Sequence, residues 1–217
     1  MNDTAAAAVE ADFFARARAR LTLDVPEALI DPTKEAKRGD LDLDPAMWAL
    51  AGVKPLRPAA VLVGVVDRPR PTVVLTKRTP GLPSHAGQIA FPGGKIEPDD
   101  ETPFAAALRE AHEEIGLPAA VAEPIGYLDL YLTFSGFRVL PAVARLAPGF
   151  SLTLNRSEVA DAFEVPLDFL MNPANHQRHA REDRGVTRHY YAMPFEDRYI
   201  WGVTAGILRN LYELICT

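Results

Sequence analysis

One cysteine, Cys216, occurs in the 217 residues, so no internal disulfide can form and no disulfide framework holds the fold. A lone thiol suits a reducing compartment, and the expected location is the cytoplasm. No stretch approaches the apolar length needed to span a bilayer, which argues against a membrane protein. Basic residues are the minority. The 23 Lys and Arg against 29 Asp and Glu leave a net charge of −6, without the basic footprint that nucleic-acid binding needs. A small anionic substrate is still compatible with this charge, because a bound divalent metal reverses the local potential. Internal repeats, low-complexity tracts and Cys/His clusters of zinc-site spacing are also missing. The opening segment MNDTAAAAVEADFFARARAR has the arginines and alanines of a transit peptide. Asp3, Glu10 and Asp12 interrupt it, however, and no continuous apolar region of signal-peptide length follows.

What is present is the balance of a globular chain, 48% hydrophobic and 24% charged, long enough to bury a sizeable core. Val9, Phe13, Ala17 and Leu21 stand four apart and predict a helix over about residues 5–21. Residues 1–55 read as an N-terminal extension packed on the main domain, residues 56–217. That domain begins with two strands, AAVLVGVVD (59–67) and TVVLTKR (72–78), followed by a Gly/Pro-rich loop to Gly94. A helix then has Thr102 as N-cap, Pro103 at its first position and Gly116 as its stop. IGYLDLYLT and FRVLPAVARL read as further strands, and Glu158–Phe163 as a short helix before VPLDFL. A C-terminal helix places Ile207, Leu208, Leu211, Tyr212 and Ile215 on one face. His176, His179 and His189, among the arginines of residues 178–188, read as an exposed loop rather than a site, one that could still approach the substrate.

The chemistry concentrates in GGKIEPDDETPFAAALREAHEEIGL, residues 93–117. Glu110, Glu113 and Glu114 fall at i, i+3 and i+4, so their carboxylates share one helical face. Like charges at that spacing destabilise a helix unless a cation compensates them. Hard carboxylate oxygens suit Mg²⁺ or Mn²⁺. Arg109 lies four residues before Glu113 and can also reach back towards Glu101. His112 falls off the acidic face and is not counted as a ligand. FPGG, just before, supplies glycines that let backbone approach a ligand or metal closely.

These residues resemble the Nudix box. Gly94, Glu101, Arg109, Glu110, Glu113, Glu114, Gly116 and Leu117 match it in order, with the required seven residues between Glu101 and Arg109. Six residues rather than five separate Gly94 from Glu101, and Ala111 is a small occupant of the aliphatic position. VLTKRTPGLPSHAGQIAFPGG (74–94) is similar to the motif preceding the box in the coenzyme A pyrophosphatase branch, through Leu75, Thr76, Arg78, Gly87 and Phe91–Gly94. Thr79 and Pro83 depart from it, Pro83 standing where that motif has arginine. Residues 165–176 and 199–208 also look like segments of that branch.

The resemblance implies an α/β fold, a Nudix-type α/β/α sandwich around a mixed β-sheet. It implies hydrolysis of a pyrophosphate bond with Mg²⁺ or Mn²⁺ held by Glu110 and Glu114, aided by Glu113 and the backbone at Gly94. Arg109 and Glu101 complete the catalytic set. Arg78, Lys77 and His85 are the candidates for gripping substrate phosphates, Arg78 foremost because a guanidinium binds phosphate bidentately. The base that activates water is either Glu110 or Glu158, the latter read as an exposed helical acid. The expected substrate is coenzyme A or acyl-coenzyme A. ADP-ribose, dinucleotides or nucleoside triphosphates are the alternatives, and a non-catalytic sensor of a nucleotide metabolite is the reading from another class. No nucleic-acid or membrane partner is expected, and a homodimer formed through the extension stays open.

Overall fold

The computed structural model describes residues 13–36, 38–45, 57–82, 85–183 and 185–217. The first half of the helix expected near the N-terminus, and Pro83, lie outside them. Helix α1 occupies residues 13–20, and a short 3₁₀ turn covers Glu27–Leu29. The strands are β1 (Arg38–Gly39), β2 (Arg57–Val66), β3 (Thr72–Arg78), β4 (Ile89–Ala90) and β5 (Gly93–Lys95). Helix α2 (Pro103–Ile115) follows, then β6 (Ala122–Tyr127), β7 (Tyr131–Leu132), β8 (Phe137–Leu146) and β9 (Val159–Pro166). A turn of helix, α3 (Leu167–Leu170), precedes β10 (Gln177–Asp183), β11 (Val186–Phe195), β12 (Arg198–Trp201) and helix α4 (Val203–Cys216).

Nine strands form a mixed sheet in the order β1-β7-β8-β2-β3-β4, with β5 on β2, β6 on β8 and β9 on β3. The central pair, β2 and β8, runs parallel over ten residues. Buried on both faces, these strands are nearly continuous apolar runs rather than alternating ones. Their side chains still divide by parity. Ala59, Val63, Val65, Val139 and Val143 enter one core, which also holds α4 and the buried residues of α1. Ala60, Leu62, Leu140, Ala142, Ala144 and Leu146 enter the other, beneath α2. The architecture is the expected α/β one, helices on both faces of a mixed sheet.

Helix α2 begins and ends as its sequence predicts. Thr102 Oγ1 accepts a hydrogen bond from Ala105 N at 3.0 Å, and Gly116 closes the helix in the left-handed region at φ 66°. Ala106, Ala107 and Ala111 are fully buried against Ala60, Ala142 and Ala144. Small residues on both sides let helix and sheet approach closely, which explains alanine at position 111.

Two expectations need correcting. Residues 159–166 are a strand, β9, paired along β3 from Thr72 to Arg78, because tertiary pairing overrides a sequence that also reads as helical. The segment expected as an exposed loop is a hairpin: β10 pairs with β11 over seven registered pairs, and β12 completes a second, three-stranded antiparallel sheet. No helix among the described residues is long and apolar enough to cross a membrane.

Candidate active site

The site forms where β5 crosses beneath α2. Gly93 (φ 152°) and Gly94 pair with Val61 and Ala60. A Cβ on Gly93 would strike the backbone of Ala60 and Val61, and one on Gly94 would strike the Glu110 carboxylate. Gly93 admits no side chain, because the obstacle there is backbone; at Gly94 the obstacle is the movable Glu110 carboxylate.

The three glutamates share a face as the spacing requires, but their environments diverge. Glu114 is 4% exposed and accepts a hydrogen bond from Gly93 N at 3.3 Å. Arg78 Nη1 lies 3.7 Å from its Oε1. Burial is the main cause that pushes its carboxyl up, to about 7. Glu110 is partly covered, and burial raises its carboxyl too, against the pull of Arg109. Glu113 is largely exposed. The charge of Glu158 adds to the rise at both Glu110 and Glu114. This residue stands at the entry to β9, held by its backbone through Thr79 N to Glu158 O at 2.9 Å, and is not the exposed helical acid its sequence suggested. Strand pairing of β9 with β3 brings it there.

Arg109 organises the acidic face. It donates from Nε and Nη2 to the two oxygens of Asp100, both at 3.0 Å, and from Nη1 to Glu110 at 3.0 Å and Glu113 at 3.4 Å. A further bond from Nη2 meets the Lys95 carbonyl at 3.1 Å. The expected partner of this arginine was Glu101. That side chain is exposed, and the fork–fork pair is made with Asp100 instead. Sequence spacing could have signalled this, since five residues separate Gly94 from Asp100. The additional residue of the loop is absorbed between the clamp acid and the helix.

Among the phosphate-binding candidates, Arg78 and His85 line a cavity of about 540 Å³ together with Gly93, Gly94 and Lys95. The Nε of Arg78 is buried without a hydrogen-bond partner among the described residues. His85 bonds the Gln88 side chain at 2.9 Å. Lys77 is exposed and is not part of that lining. His112, off the acidic face, bonds the Leu117 carbonyl at 3.3 Å.

The matching family model, the NUDIX domain, covers residues 55–190. The chain belongs to the Nudix family. It is 39% identical over 159 residues to an uncharacterized Nudix hydrolase, NudL, of Yersinia pestis (strain Pestoides F), spanning 73% of this chain and 80% of that protein. The NudL of Yersinia pseudotuberculosis serotype O:1b (strain IP 31758) gives the same identity and coverage. Among solved structures, the Nudix hydrolase RenU of M. smegmatis aligns with 27% identity and a TM-score of 0.40, covering 51% of this chain and 70% of that one. The protein is thus a hydrolase of phosphorus-containing anhydrides, acting on pyrophosphate-containing substrates.

Nudix hydrolases use divalent metal ions, and the residues here fit one. The donor set is all hard oxygen, and Gly94 brings the turn's backbone close to the Glu110 carboxylate. Among the described residues no three acidic, His or Cys side chains are drawn to metal-binding distance. Arg109 and Arg78 spread the carboxylates between them and carry the compensating charge.

A pH effect follows for protein stripped of metal. The Glu114 carboxyl is raised in the folded state from 4.5 to about 7, so the folded state binds the extra proton. Stability is therefore full below pH 4.5 and falls as pH rises through 7. Metal requires the carboxylate and compensates it, so its stabilisation grows over the same interval. Thermal melts from pH 5 to 8.5, with EDTA or with excess Mg²⁺, should diverge increasingly towards high pH. Parallel curves would mean that Glu114 does not meet the ion.

Proposed function

We propose that the protein hydrolyses the pyrophosphate of coenzyme A or acyl-coenzyme A, giving adenosine 3′,5′-bisphosphate and the corresponding 4′-phosphopantetheine. The observation that carries this reading is Arg78. It belongs to the segment that resembles the coenzyme A pyrophosphatase motif, stands 3.7 Å from the buried Glu114, lines the cavity and keeps a buried donor without a partner among the described residues. A guanidinium between Glu114 and the cavity is suited to neutralise phosphate oxygens.

Glu110 and Glu114 would hold the ion, Mg²⁺ or Mn²⁺, aided by Glu113 and the Gly94 backbone. When bound, it supplies charge neutralisation at the pyrophosphate and makes water acidic enough to attack near neutral pH. Arg109, itself clamped by Asp100, fixes Glu110 and Glu113 in position. A carboxylate takes the proton from water as its oxygen bonds to phosphorus and the bridging P–O bond breaks. Glu110 and Glu158 are the two candidates to receive this proton; Arg109 holds Glu110 through its Nη1 at 3.0 Å, and among the described residues no arginine ion pair to Glu158 is formed. His85 lies on the cavity wall, where it is a candidate to hold substrate phosphates with Arg78.

The test is a time course by liquid chromatography and mass spectrometry with Mg²⁺ or Mn²⁺. Coenzyme A, acetyl-coenzyme A, ADP-ribose, a dinucleotide and nucleoside triphosphates are compared. Adenosine 3′,5′-bisphosphate should accumulate from the first two. Turnover of ADP-ribose or a triphosphate alone would keep the hydrolase and remove the coenzyme A assignment. Tight binding of one of them without turnover would favour a sensor.

A further inference from the structure

The second sheet departs from what an ordinary outer sheet shows. In the β10–β11 register Arg181 faces Arg188 and His179 faces Tyr190, while Ala192 faces Trp201 across β11–β12. Cross-strand partners and alternate residues share a face, so Arg181, Arg188, Tyr190 and Trp201 all project from the same side. On the opposite side Met193 and Ile200 are buried in the core. The projecting side is a contact series: Arg181 Cζ lies 5.4 Å from the Trp201 ring centre, and Tyr190 packs edge-on to Trp201 at 5.2 Å. Arg188 Cζ lies 3.7 Å over the ring of Phe134. These residues line the same cavity as Arg78, Gly93 and Gly94.

The cavity therefore has two chemically different ends. One is the glycine turn of β5 with Lys95 and Arg78, the arginine that also reaches Glu114. The other combines two guanidinium groups with half-buried aromatic rings, in a chain whose net charge is −6. Asp40, which also lines this cavity, accepts bonds from Phe134 N at 2.7 Å and Tyr131 OH at 3.1 Å, and its carboxylate feels the charge of Arg188. Asp44 pairs with His189 at 2.7 Å. Two cations beside ring faces are suited to a phosphate next to a heterocycle.

We propose that this side of the β10–β12 sheet is a second anion subsite, which selects a nucleotide half carrying a phosphate monoester in addition to the scissile pyrophosphate. The inference rests on the coenzyme A reading and deepens it: Arg181 and Arg188 bind the 3′-phosphate while Tyr190 or Trp201 receives the base. ADP-ribose and simple dinucleotides lack that group and lose the contact.

The test compares coenzyme A with 3′-dephospho-coenzyme A, whose scissile bond is identical, in the intact enzyme and in Arg181→Gln and Arg188→Gln. The intact enzyme should favour coenzyme A by about tenfold or more in kcat/KM, the effect of one or two charge-assisted bonds. Each variant should lose most of that preference through a higher KM for coenzyme A, with dephospho-coenzyme A turnover unchanged. A global structural defect would instead lower both substrates together. Equal turnover of the two by the intact enzyme, or parallel losses in both variants, overturns the subsite while the coenzyme A assignment stands. Should neither be cleaved, the coenzyme A reading fails, and calorimetry with adenosine 3′,5′-bisphosphate and 5′-AMP decides the subsite separately. Tighter binding of the bisphosphate, abolished by Arg181→Gln, supports it; equal affinities overturn it.

Discussion

Glu114→Gln should lower kcat/KM for whichever pyrophosphate the enzyme cleaves by about a thousandfold or more, the scale expected when several kcal/mol of metal-centred charge stabilisation is lost. Glutamine fills the same volume and can still accept from Gly93 N, so neither packing nor the turn is disturbed. What disappears is the charge. Because burial already penalises that charge, the variant should melt no lower than the parent in EDTA at pH 8, and Mg²⁺ should raise its melting temperature much less. Activity and metal-free stability thus move independently. An active variant, or an inactive one that has simply unfolded, would each dislodge Glu114 from the centre of the site.

The second large effect concerns stability. Arg138, on β8, is 8% exposed and its guanidinium serves backbone carbonyls rather than a carboxylate. It donates to Ala28 O, to Asp31 O and Lys34 O at 3.0 Å, and to Pro32 O at 3.3 Å. One side chain thereby organises the segment that crosses between α1 and β1. Arg138→Met keeps the length and apolar stem but removes every donor, leaving carbonyls without their partner. A loss of about 3 kcal/mol is expected, on the scale of an unpaired buried polar cluster. For a chain of this size that lowers the melting temperature by roughly 10 °C. Limited proteolysis should cut first between residues 26 and 36, while kcat stays close to that of the parent. An unchanged melting temperature would show that the crossing segment is held by its apolar contacts, such as Leu29, alone.

Much of the reacting helix was legible because its information is local. The cap at Thr102, the stop at Gly116 and the i, i+3, i+4 spacing of the glutamates are all set within a few residues, and the helix repeat converts them directly into geometry. The strands of the central sheet were readable for a similar reason, as β-branched runs too short for helices. Glu158 was misread because VADAF satisfies both periods, and only its partner strand β3 decides between them. The arginines of β10 and β11 were misread because charged, histidine-rich sequence usually marks a solvated loop. Here one side of the hairpin is covered by the core and the other turned to the cavity.

The clamp acid shows the boundary most clearly. Glu101 has the right distance in sequence from Arg109, and Asp100 the right distance from Gly94. The loop can satisfy one spacing only, and its path from β5 to α2 puts Asp100 under the guanidinium. By itself the sequence determined the kind of reaction, an acidic helix that needs a cation and acts on an anhydride. Tertiary structure decided which glutamate is buried, which acid holds Arg109, and which arginines, a hundred residues apart, face one cavity. Helical spacing acts over a few residues, whereas burial and long-range charge placement depend on the register of strands that meet only when the sheet is assembled.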